Sequence, residues 1–120
     1  MTQDIYFISS DAETTEIAKN WALKLNLEGY RFFTLSYETD HLPSEPLPRL
    51  ENAKHIIFLN TEKHIRLPHE IYNFPNFQVW DLMTIDYLST DTSNIISQKL
   101  SDIIALKISY FAESLELITY

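Results

Sequence analysis

The chain has no cysteine and only one glycine among its 120 residues. The lack of cysteine excludes disulfides, thiolate metal sites and cysteine nucleophiles. Loops that wrap their backbone around a phosphate usually contain several glycines, so a single Gly29 argues against such a loop. A cysteine-free chain also suits a reducing compartment, and we predict a cytoplasmic location.

Basic residues and long apolar runs are scarce as well. Nine Lys and Arg residues are outnumbered by 17 Asp and Glu, which gives a formal net charge of −8. Nucleic acids and anionic membranes attract proteins through a positive field, so neither is predicted as a partner. Asp4 interrupts the first apolar run, and every apolar run is far shorter than the roughly 20 residues of a membrane span, so the sequence predicts neither a signal peptide nor a transmembrane helix.

The apolar pattern alternates between short strands and amphipathic helices. Four strands are predicted, at Ile5–Ser9, Tyr30–Ser36, Lys54–Asn60 and Phe77–Leu82. Helices are predicted over Asp11–Leu27, Thr61–Asn73 and Asn94–Leu117, with a short helix near Leu47–Ala53 in a proline-rich loop. This alternation predicts one α/β domain over residues 1–120, a small doubly wound four-stranded parallel sheet in strand order 2-1-3-4 with helices on both faces.

Local signals mark the ends of the helices. Ser10 and Glu13 have the spacing of a capping box at the start of the first helix, and Gly29 is placed as the C′ residue that ends it. Pro68 is expected to kink or divide the second helix.

The carboxyl ends of the strands are where ligands bind in such sheets. The first of these ends holds the hydroxyls of Ser9, Ser10, Thr14 and Thr15 next to a helix N-terminus, which favours anions. The alternative is that Ser10 caps the helix while Asp11 and Glu13 satisfy its dipole. The second interpretation is preferred, because those carboxylates repel an anion.

Four segments resemble the low-molecular-weight protein tyrosine phosphatases. "ENAKHIIFLNTEKHIRLP" is similar to the third strand and following helix of that family, "FQVWDLMTIDYLS" to its last strand and general-acid loop, and "SNIISQKLSDIIALKI" to its C-terminal helix. "FISSDAETTEIAKNW" falls where the family has a strand, a Cys-x5-Arg-Ser-Pro loop and a helix. The resemblance implies a doubly wound fold and either phosphotyrosine hydrolysis or arsenate reduction through a cysteine thiolate.

The chain departs from the family at the catalytic loop. The alignment puts Ile8 at the cysteine position and Thr14 at the arginine position, so that nucleophile and phosphate clamp are both missing. The degenerate phosphate-loop positions are Ile8, Ser9, Ser10, Asp11, Ala12, Glu13, Thr14 and Thr15. The nearest match to the family's general acid is Asp86, with Asp81 as the alternative.

Three functions are compatible with these residues. The preferred hypothesis is a non-catalytic phosphatase-like domain that acts as a protein-interaction or regulatory module. The alternative is a hydrolase or phosphatase of another mechanism that uses Asp81 or Asp86, with or without a divalent metal; a small-ligand sensor is the third. No cofactor or metal site is predicted, because His64 and His69 flank Pro68 and do not share a helix face, and the histidines are expected at the surface.

The C-terminal helix carries apolar residues beyond those needed for a core. Leu106, Tyr110, Leu117 and Tyr120 lie on or near a second face of this helix. Such a face predicts contact with another protein, including a homodimer through this helix. Packing of the last turns against the chain's own sheet is the alternative.

Overall fold

A computed structural model describes residues 3–37, 42, 47–61, 67–82 and 92–118 of the chain, without the side chains of residues 47, 93, 94 and 116–118. Asp86, His41, His64 and Tyr120 lie outside the described residues, as does the side chain of Leu117.

The fold is an α/β sheet of four parallel strands in the order β2-β1-β3-β4. This confirms the predicted fold class and strand order. Along the chain the elements are β1 (Gln3–Ser9), α1 (Ala12–Lys24), β2 (Tyr30–Ser36), α2 (Leu47–Glu51), β3 (His55–Asn60), a 3₁₀ helix (His69–Asn73), β4 (Phe77–Asp81) and α3 (Ser93–Ile118).

Helices cover both faces of the sheet, as predicted. Successive side chains of a strand point to opposite faces, and β1 and β3 are apolar on both. One face packs against α1 and α3 in a core that includes Ile5, Phe7, Ile57, Leu59, Ala18, Ala22, Leu100, Ile104 and Ile108. The other face packs against α2 and the 3₁₀ helix in a core that includes Tyr6, Ile8, Ile56, Phe58, Leu50 and Ile71.

The start of α1 differs from the predicted capping box. Asp11, not Ser10, is the N-cap, with extended backbone angles of φ −112° and ψ 111°. Its side chain accepts a hydrogen bond from the Glu13 backbone N–H, the usual role of an N-cap carboxylate. Both residue types cap helices well, so the sequence pattern alone does not decide between neighbours.

The end of α1 also differs, since Gly29 is not its C′ residue. The helix ends at Lys24 with Leu25 as C-cap, and Asn26 has the left-handed φ of 51°. Asparagine is one of the few residues that tolerate this conformation. Gly29, at φ 83°, lies instead in the turn that leads into β2.

The predicted helix over Thr61–Asn73 is wrong in its last part. Residues 62–66 lie outside the described residues, and between Leu67 and Asn73 the chain forms only the short 3₁₀ turn His69–Asn73. Pro68 has a ψ of 145°, which is not helical, so no α-helix passes through it.

Candidate functional site

The carboxyl end of β1 is built into the fold by hydrogen bonds to Ser9. Ser9 is buried, and its hydroxyl oxygen accepts a hydrogen bond from the Asp11 backbone N–H at 3.1 Å. Its carbonyl accepts from the backbone N–H of Tyr37, just after β2, at 3.3 Å. The Ser9 side chain therefore holds the turn between β1 and α1.

The carboxylate of Asp11 closes the N-terminus of α1. One oxygen accepts from the Glu13 backbone N–H at 3.1 Å, and the other accepts from the Thr14 hydroxyl at 2.9 Å. The Thr15 hydroxyl donates to the Ala12 carbonyl at 2.8 Å. Thr14 and Thr15 are both buried, so neither hydroxyl is presented to a ligand. The negative charge that a helix start attracts is already supplied by the protein.

Ile8, which was predicted from the family resemblance to lie at the position of the phosphatase nucleophile, is a core residue. It is fully buried, in the cluster that contains Leu50 and Ile71 beneath α2 and the 3₁₀ helix. Its side chain is therefore part of the packing on that face of the sheet. It lacks a nucleophilic atom and has no exposed surface.

Asp81 ends β4 at the same edge of the sheet. Its carboxylate accepts a hydrogen bond from the side-chain amide of Asn60, at the end of β3, at 3.1 Å. Because β3 lies between β1 and β4, the ends of β1 and β4 are two strand spacings apart, about 10 Å. The Asp81 carboxylate is thus oriented by its hydrogen bond to Asn60, and not by the hydroxyl groups that follow β1.

The prediction that the histidines lie at the surface is wrong for His55. This residue is half-buried at the start of β3, and its Nε2 atom is buried without a hydrogen-bond partner. Burial and then the neighbouring Lys54 lower its pKa below the ordinary 6.5. The signal was present in the sequence, because His55 alternates with Ile57 and Leu59, which face the α3 side of the sheet.

A second perturbed group lies at the amino end of the sheet, away from the candidate site. Burial and the nearby Asp4 carboxylate raise the pKa of Tyr6, against the smaller lowering effects of Arg49 and Arg31. Arg31 forms an ion pair with Asp4 at 2.8 Å.

The outer face of α3 exposes large apolar side chains. Leu106 is 50% exposed and Tyr110 is 64% exposed. Ile95, about three turns before Leu106, is also exposed. Leu117 and Tyr120 were predicted on this face as well, and their side chains lie outside the described residues.

Within the described ranges, no group of three or more His, Asp or Glu side chains is placed to hold a metal ion. None of the helices in this part of the chain has the length and apolar character needed to cross a membrane. No protein-family model matches the chain, and no curated protein matches it.

Proposed function

We propose that this chain is a non-catalytic relative of the low-molecular-weight phosphatases and works in the cytoplasm as a protein-interaction module. The observation that supports the proposal is the Asp11 carboxylate at the start of α1, where that family binds phosphate. Its two oxygens engage the Glu13 N–H and the Thr14 hydroxyl. A phosphate ester would have to displace this carboxylate and would be repelled by it.

The chemistry of the remaining loop positions supports the same proposal. Ile8 cannot form a phosphoenzyme, and no guanidinium stands at Thr14 to grip phosphate oxygens. The loop is also stabilised by its own contacts, through Ser9 and Thr15. These contacts stabilise the junction between β1 and α1.

The partner in this proposal is a second copy of the chain, bound through the outer face of α3. Lys99 and Glu113 lie seven residues to either side of the exposed Leu106, about two helical turns each way. In an antiparallel pair of α3 helices related by a two-fold axis at Leu106, Lys99 of each copy faces Glu113 of the other. The apolar centre and the opposite charges flanking it favour that arrangement.

The competing proposal is a hydrolase that uses the carboxylate oriented at the end of β4. It is supported by the half-buried Asp81, which accepts a hydrogen bond from Asn60. Asp86, in the following segment, is its second candidate.

Turnover of p-nitrophenyl phosphate separates the two proposals. We expect the wild-type chain to release no more nitrophenol than buffer does, with or without Mg²⁺ or Mn²⁺. Turnover that is lost in Asp81→Asn or Asp86→Asn would establish the hydrolase and overturn the non-catalytic proposal. A Ser10→Ala variant is the control, because it changes a residue at the same edge of the sheet without removing a carboxylate.

A further inference from the structure

A cavity of about 360 Å³ lies between the edge strand β4 and the C-terminal half of α3. Three of its walls are aromatic: Trp80 from β4, and Tyr110 and Phe111 from α3. His55 from β3 and Lys107 from α3 add polar groups. Its size and its aromatic lining with a few polar groups are typical of small-molecule sites.

The aromatic walls of this cavity are held in place. The Phe111 ring meets His55 edge-on, with centroids 5.0 Å apart, and meets Trp80 at 5.8 Å and 70°. The Trp80 indole N–H donates to the side-chain oxygen of Gln78 at 2.9 Å. The walls come from a strand and a helix, so they form a preorganised surface for a flat ring.

The charge of the cavity is opposite to that of the whole molecule. The chain carries a net charge of −8. Even so, none of the described residues that line the cavity is an Asp or a Glu. Among the described residues, no carboxylate pairs with Lys107. Within the described lining, a ligand anion therefore meets the positive charge of Lys107.

The imidazole of His55 adds a polar atom without a protein partner. Its Nε2 is buried beside this cavity and makes no hydrogen bond. Buried polar groups in folded proteins nearly always have a partner, and an exception calls for an explanation. A small adjustment of the ring, with a ligand oxygen beside it, would supply the missing hydrogen bond.

We propose that the cavity between β4 and α3 binds a small aromatic carboxylate, its ring against the side chains of Tyr110 and Phe111 and its carboxylate beside Lys107. The site lies away from the start of α1 and rests on its own observations, although Tyr110 belongs both to its lining and to the exposed face of α3.

Titration of the isotopically labelled full-length chain by NMR with 2-naphthoate tests this site, with neutral 2-naphthamide as the matched ligand. The chain has two tryptophans: Trp80 lines the cavity, and Trp21 donates to Ser101 on the far side of α3. A Trp21→Phe variant assigns the two indole N–H signals. We expect 2-naphthoate to shift the Trp80 signal, to leave the Trp21 signal in place, and to bind about tenfold more tightly than the amide.

The variant Lys107→Gln should remove the preference for the carboxylate and leave the two ligands equal in affinity. The matched control is Lys24→Gln, because Lys24 lies 4.4 Å from the centre of the Trp21 ring, outside the cavity. That control should bind 2-naphthoate as the wild type does. Three results would overturn the site: no shift of the Trp80 signal at millimolar ligand, equal affinity of the wild type for acid and amide, or equal weakening by Lys24→Gln and Lys107→Gln.

Discussion

At the scale of single residues, Asp11 determines what the start of α1 can do. Both of its carboxylate oxygens are engaged by the first helical turn, through Glu13 and Thr14. The same contacts that stabilise the helix exclude an external anion from its N-terminus. The contact that stabilises the helix start and the exclusion of an anion from it thus have the same cause.

Replacing Asp11 by alanine should lower the free energy of unfolding by about 1 kcal/mol, the usual cost of losing a carboxylate N-cap. Ser10→Ala is the matched control on the neighbouring exposed residue, and it should cost less than Asp11→Ala because Ser10 is not the N-cap. Urea denaturation of both variants measures the difference. A larger loss for Ser10→Ala than for Asp11→Ala would restore the capping box predicted from the sequence.

His55 should make stability depend on pH below neutrality. Its pKa in the folded chain lies below the ordinary 6.5, so the unfolded chain takes up this proton first as the pH falls. The free energy of unfolding that His55 contributes is therefore complete above pH 6.5 and declines below it, until the lower pKa of the folded state is reached. Protonation of His55 in the folded chain would also add a third positive charge near those of Lys54 and Lys107.

The variant His55→Phe keeps a planar ring beside Phe111 and removes the titrating nitrogen. As the pH falls below 6.5, the free energy of unfolding of this variant should decrease less than that of the wild type. The control is Leu23→Ala, a change at a residue that is 54% exposed and does not titrate, and it should follow the wild-type curve. Parallel curves for His55→Phe and the wild type would show that this imidazole does not carry the effect.

At the scale of elements, the link between α1 and β2 depends on two residues with positive φ. Asn26 has φ 51°, and Gly29 has φ 83° with no atom within 4 Å of the place a Cβ would occupy. Gly29→Ala therefore causes no clash, and its cost comes from the backbone alone, roughly 1–2 kcal/mol. Asn26→Gly should change stability by only a few tenths of a kcal/mol, because asparagine already tolerates its conformation.

Thermal or urea unfolding of Gly29→Ala and Asn26→Gly measures these two values. A neutral Gly29→Ala would mean that the turn relaxes to a negative φ without affecting β2.

The order of the elements followed from sequence because each has a clear period. The apolar runs of β1 and β3 mark central strands of a parallel sheet, and the 3.6-residue pattern marks α1 and α3. Prediction failed where competing signals were close in strength. Ser10 and Asp11 are both good caps, Asn26 and Gly29 both adopt positive φ, and the helix predicted across Pro68 is reduced to a 3₁₀ turn in its described part.

At the scale of the whole molecule, the two candidate sites differ in how far they could be foreseen. The positions at the start of α1 are contiguous in the sequence. Comparison with a single sequence motif therefore predicts all of them together, including the absence of a cysteine and an arginine there. The cavity joins His55, Trp80 and Lys107 from three separate elements. Nothing in their sequence spacing brings these residues together, and only the packing of α3 on β3 and β4 does so.

The central claim is that α3 of one copy binds α3 of another around Leu106. Sedimentation equilibrium over a range of concentrations tests it most directly, with Leu106→Asp as the disrupting variant. The control is Leu23→Asp on α1, because Leu23 is 54% exposed and Leu106 is 50% exposed. Lys99→Glu and Glu113→Lys should each weaken the dimer, and the double variant should restore it.

We expect the wild-type chain to be a dimer that Leu106→Asp converts to monomer and that Leu23→Asp leaves intact. A wild-type chain that stays monomeric at the highest concentration, or a dimer that survives Leu106→Asp, would contradict it.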